Sequence, residues 1–161
     1  RSRVVILDAC RNDPLPQWQR LLAHFPVAGK RLVGAVLASQ QSEELSPALQ
    51  AKINWVTARQ DGAWYLTALA HRELSSLGVD KKQVSALDAD LSKEGSLPDE
   101  RERVLLVVAK NLASSPIVLT DAEVAKAVEV AGPRAVTQTI NYTCYRASLN
   151  RITEAAGLCA K

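Results

Sequence analysis

The sequence predicts an all-α fold, a bundle of about seven or eight helices. Three observations predict it. Apolar residues recur at helical spacing in the long segments, and none keeps the period-two alternation of a half-buried strand. Residues that start and stop helices punctuate the chain. The composition, 47% apolar and 23% charged over 161 residues, is that of a globular domain able to bury a core.

At the N-terminus, the β-branched run Val4-Val5-Ile6-Leu7 leads into Asp8-Ala9-Cys10-Arg11. This segment resembles the nucleophile strand of caspase-like peptidases. That chemistry needs an upstream histidine to activate the thiol and further strands, whereas the chain beyond Cys10 has a helical pattern. Cys10 is therefore read as part of an extended tail over residues 1–14, ahead of a helical domain over residues 15–161.

Asn12-Asp13-Pro14-Leu15-Pro16 makes a turn or extended entry. Trp18, Leu21, Leu22 and Phe25 then fall at helical spacing until Pro26 stops the helix, with His24 at its end or on its surface. Residues 27–38 are rich in Ala, Val and Leu, with Leu32, Ala35 and Val36 on one face, and are read as a buried helix. Ser46-Pro47 is a cap followed by a first-turn proline; Leu49, Ile53 and Val56 form the stripe of the helix it opens.

The next helix opens around Asp61-Gly62 and ends at Leu77-Gly78, where glycine suits the C-terminal cap. Asp80 caps a short helix to about Asp90, and residues 92–98 form a polar loop. Residues 99–113 are amphipathic through Val104, Leu105, Val108 and Leu112, with Pro116 beyond. Thr120 and Glu123 form a capping box for a helix to Ala131. Gly132-Pro133 breaks it, and a last helix runs over residues 134–156 to Gly157.

Charge and cysteine usage narrow the function. The net charge of +3 is spread along the chain without a Lys/Arg block, so nucleic acid is not an expected partner. No apolar run approaches the roughly 20 residues of a membrane span. Cys10, Cys144 and Cys159 form no C-x-x-C pair, which excludes a zinc knuckle or a thioredoxin-type pair in sequence. Free thiols in a reducing, cytoplasmic compartment are the expectation; the absence of methionine leaves a trimmed start and export open. Cys144 is read as a buried inert thiol. Neither a metal nor a cofactor is expected.

Several short strings follow one another in a set order and spacing. They are His71-Arg72-Glu73-Leu74 with Leu77-Gly78, Asp80 and Val84-x-Ala86-Leu87, then Ser115-Pro116 before Thr120-Asp121, and Asn150-Arg151-Ile152-Thr153-Glu154-Ala155-Ala156-Gly157-Leu158. Over residues 15–158 this order resembles the carboxymuconolactone decarboxylase / alkylhydroperoxidase D (AhpD-like) family. The resemblance implies an AhpD-like helical bundle and a homo-oligomer.

The family's redox motif is a Glu, a C-x-x-C twelve residues on, and a His four after the second Cys. Counting back from His71 places Thr67 and Trp64 at the cysteines and Lys52 at the Glu; an alternative register places Ala63 and Leu66 at the cysteines. Neither register has a thiol, so the dithiol peroxidase route is chemically excluded.

The family's decarboxylase branch needs no thiol pair, but it calls for a cationic pocket and a proton carrier. Lys52, Trp55 and Arg59 share one helical face, and Trp64, Thr67, Ala68 and His71 share another. If these faces meet, His71 and Thr67 are the catalytic candidates. Lys52, Arg59, Trp64 and Trp55 then bind a small acidic substrate such as a lactone acid. In the alternative reading the chain is a catalytically degenerate relative with a structural or ligand-binding role. His71 is then structural, and the tryptophans are packing. Tyr142, Tyr145, Asn150 and Arg151 line the pocket in one reading, and pack or cap in the other.

Overall fold

The computed structural model describes residues 16–41 and 43–159; the tail assigned to residues 1–14, Cys10 included, lies outside them. The described residues form eight helices and no strand. They are α1 (Gln17–Ala23), α2 (Pro26–Gln40), α3 (Pro47–Gln60), α4 (Trp64–Ser76), α5 (Lys81–Leu87), α6 (Glu100–Ala113), α7 (Asp121–Ala131) and α8 (Pro133–Ala155). None is long and apolar enough to cross a membrane.

Local chemistry sets most of the boundaries. Ser46 Oγ accepts from the Leu49 N–H at 3.2 Å to start α3. Asp80 with Gln83, and Thr120 with Glu123, close reciprocal capping boxes on α5 and α7. Asp99 accepts from the Arg101 and Glu102 N–H groups at the start of α6. Between α3 and α4 the chain reverses in three residues. Gly62 takes φ +64° there, a conformation costly for any residue with a Cβ, and the Ala63 N–H returns to Ala58 O at 2.9 Å. The α3–α4 hairpin is thereby fixed, and it is the most extensive helix pairing in the structure.

Two apolar clusters support it. The larger gathers Ile53, Val56, Ala70, Leu74, Leu105 and Val108 with side chains of α7 and α8. The smaller joins Ala58, Ala63, Tyr65 and Leu66 to Leu21, Leu22, Val36 and Leu149.

Several expectations are corrected. The helix of residues 27–38 is not buried: only Gly29 and Val36 of α2 are, while Val27 and Leu37 are exposed. Composition made this segment helical, but its main packing is against α1 and α8, and most of its residues are exposed or half-buried. Pro26 opens α2 rather than merely stopping α1, and Phe25 is an exposed cap residue. Cys144 is exposed. It shares the outward stripe of α8 with Asn141 and Ser148, at i, i+3 and i+7. The helix capped by Asp80 also ends earlier than expected, at Leu87.

Candidate functional site

The α3–α4 hairpin carries Trp55 with its indole largely buried. Its Nε1–H donates to Asp88 Oδ1 at 3.1 Å, and Arg59 Nε donates to the same oxygen at 3.3 Å. One carboxylate, just past the end of α5, therefore fixes both an indole and a guanidinium. The Arg59 guanidinium carbon lies 5.8 Å from the indole centroid, within cation–π range. From α4, the His71 ring sits 5.9 Å from the same indole at 49°, and the residue is exposed. Beside this group opens a cleft of about 250 Å³ lined by Val56, Arg59, Gln60, Leu87, Asp88 and Lys110. Its charged walls are two cations against one carboxylate, which favours an anion.

Three of the six residues singled out from sequence thus gather around one indole: Trp55, Arg59 and His71. Lys52 turns instead to α6, its ammonium 2.6 and 2.8 Å from the two Glu102 carboxylate oxygens. Trp64 stands at the first position of α4, 67% exposed. Thr67 is half-buried one turn on.

The alternative register lands elsewhere. Ala63 and Leu66 are 0% and 1% exposed, and the positions the same spacing adds, Ala51 and Ala70, are 0% and 1% exposed. That inward face of the hairpin is closed with aliphatic packing.

Sequence reasoning missed Asp88 and Lys110, and it missed a buried polar network behind the hairpin. Tyr142 Oη donates to Asn54 Oδ1 at 2.9 Å, and Asn54 Nδ2 donates to Glu73 Oε2 at 3.0 Å. Asn150 Nδ2 donates to Asp61 Oδ2 at 2.8 Å, and Arg151 Nε lies 3.6 Å from Asp61 Oδ1. Tyr142 and Asn150 thus tie α8 to α3 and to the hairpin turn rather than lining the cleft. For these two residues the packing alternative is the one the structure has; the partners Asn54, Glu73 and Asp61 carried no signal in the sequence.

Burial pushes the Tyr142 phenol above its usual range, against the opposing effects of the Arg146 charge and the Asn54 hydrogen bond. Because the folded state holds that proton more tightly, the stabilisation is complete below about pH 10, the unfolded value. It is lost as pH rises through the raised folded value. Denaturant melts between pH 9 and 11 are expected to show stability falling, less steeply in Tyr142→Phe. An identical slope in the variant contradicts this placement.

No three His, Cys, Asp or Glu side chains among the described residues cluster as metal ligands.

The architecture is that of an all-α bundle known from solved structures. It is similar to the debrominase Bmp8 in its apo form, with TM-score 0.80 and 16% identity over 91% of this chain and 78% of that one. It is equally similar (TM-score 0.80, 17% identity, the same coverage) to a cysteine-to-alanine variant of that debrominase in complex with 2,3,4-tribromopyrrole. At such identity the likeness establishes the fold. No family model and no curated protein matches the sequence.

Proposed function

We propose that this chain is a thiol-independent relative of the carboxymuconolactone decarboxylase / AhpD-like proteins, acting on a small carboxylate such as a lactone acid beside Trp55. The observation that carries this reading is a single indole flanked by His71 and Arg59, each within 6 Å of its ring, at the edge of a cationic cleft. In this reading Arg59 and Lys110 hold the carboxylate, and Trp55 packs against the substrate ring. His71, open to solvent, carries the proton as general acid/base. Thr67, one turn before His71, is its companion on that face of α4. Lys52, already matched by Glu102, stabilises the α3–α6 contact.

Two further facts support the reading. The aliphatic closure of Ala63 and Leu66 fits chemistry without thiols. A debrominase of the same fold is solved with a small ring compound, which supports a small cyclic ligand. The exposed Trp64 supports the homo-oligomer that the family resemblance implies; sedimentation of the chain at micromolar concentration should give more than the monomer mass, and a monomer alone removes that part of the reading.

A second reading, binding without turnover, is favoured by the ion pairs. Arg59 faces Asp88 and Lys52 faces Glu102 before any ligand arrives. A panel of acidic lactones separates the two. Turnover that weakens in Arg59→Ala chiefly through a raised KM supports the enzyme; saturable binding with no turnover in any variant supports the second.

A further inference from the structure

Thr139, Thr143, Arg146 and Asn150 fall at i, i+4, i+7 and i+11 along α8, a single stripe on one face of the helix. All four are buried, and each carries an atom that is closed to solvent and without a hydrogen-bond partner. These atoms are the Oγ1 of Thr139 and of Thr143, Arg146 Nε and Asn150 Oδ1. Natural interiors rarely leave such groups orphaned, and each case calls for a reason.

Other residues of this protein show what buried groups of these types ordinarily do. Thr57 and Thr153 return their hydroxyls to the carbonyl four residues back at 2.8 Å; Thr139 and Thr143 do not. Arg103, 5% exposed, is forked onto Glu100 at 2.7 Å twice and donates to Leu91 O at 2.8 Å. Arg146, 8% exposed, has neither an ion pair nor a hydrogen bond among the described residues. The carboxylates that reach this side are engaged elsewhere: Glu73 with Asn54, and Asp61 with Asn150 and Arg151. A guanidinium N–H closed to solvent without an acceptor is unfavourable, and a guanidinium cannot relieve it by losing its proton.

We propose that Arg146 binds a small carboxylate monoanion of formate or acetate size, with the Thr143 hydroxyl as a second donor. The planar N–H fork of arginine matches a carboxylate. The Tyr142 phenol adjoins the site, its proton affinity lowered by the Arg146 charge and raised by that of Glu73. The nearby Glu73 charge favours a monoanion over a dianion. This site is separate from the Trp55 group. Glu73 is two residues from His71 and Asn54 one from Trp55, so each points to a different side of its helix.

The test is calorimetric titration of the full chain with sodium formate and sodium acetate at fixed ionic strength, with sodium chloride as control. The wild type is expected to bind formate or acetate saturably at one site, and Arg146→Met to lose at least about tenfold in affinity. In anion-free buffer Arg146→Met should melt at the wild-type temperature or above it, because the deleted group makes no hydrogen bond or ion pair. Should the methionine variant fail to fold, Arg146→Lys, which keeps the charge but not the fork, carries the comparison with the same loss expected. No saturable carboxylate binding by the wild type, or equal affinity in the Arg146 variants, overturns the proposal. A clear drop in the anion-free melting temperature of Arg146→Met overturns it too, since a structural role would produce that. Binding that appears only in Glu73→Gln would make Glu73 the resident counter-charge and equally rule the site out.

Discussion

Replacing His71 by alanine is expected to lower kcat on an acidic lactone by about 10²–10⁴-fold, the usual contribution of a positioned proton carrier. The imidazole is 5.9 Å from the Trp55 indole and open to solvent, so its removal leaves the core intact and the melting temperature little changed. Arg59→Ala should act differently, raising KM, because it removes one of the two cations lining the cleft. Lys52→Ala should leave both constants nearly unchanged and lower stability by about 1–2 kcal/mol, since its partially buried ammonium is engaged by Glu102. Steady-state kinetics with denaturant melts on the three variants checks all of this. Turnover unaffected in His71→Ala, for every lactone the wild type accepts, removes His71 from the mechanism.

The second large effect concerns the scaffold. Leu105→Ala should destabilise the fold by about 2–5 kcal/mol, from lost burial and from the cavity left behind. Leu105 is fully buried in α6, which packs against α7, α8 and α3 together, so no single neighbour can collapse into the space. For a chain of this size each kcal/mol lowers the melting temperature by roughly 2–4 °C. Thermal unfolding reads this directly; a shift below about 2 °C means that the packing around α6 differs from that described.

These predictions rest on features that differ in how openly the sequence displays them. The caps at Ser46, Asp80 and Thr120, the turn at Gly62 and the break at Gly132-Pro133 are local chemistry, and the structure places helix ends there. The approach of His71 to Trp55 was legible because a short turn forces facing residues of a hairpin together. Asp88 and Lys110 were not. Their approach to Arg59 depends on how α5 and α6 pack on the hairpin, which no local spacing encodes. The exposure of α2 was misread for the same reason: an Ala/Val-rich helix does not state how many neighbours it has. Asn54 and Arg146 escaped because a polar residue on a helix is normally assigned to solvent, whereas here both face inward, from α3 and α8; for Tyr142 the packing alternative is the one the structure has.

The central claim is that a small acidic ligand sits against Trp55, between His71 and Arg59. NMR titration of the protein with an acidic lactone, tracking the indole N–H signals of the tryptophans and the imidazole signals of the histidines, tests it most directly. Saturable shifts are expected of the Trp55 indole N–H, as its bond to Asp88 is perturbed, and of the His71 imidazole, with His24 unmoved. Saturable binding that leaves both Trp55 and His71 unshifted would contradict it.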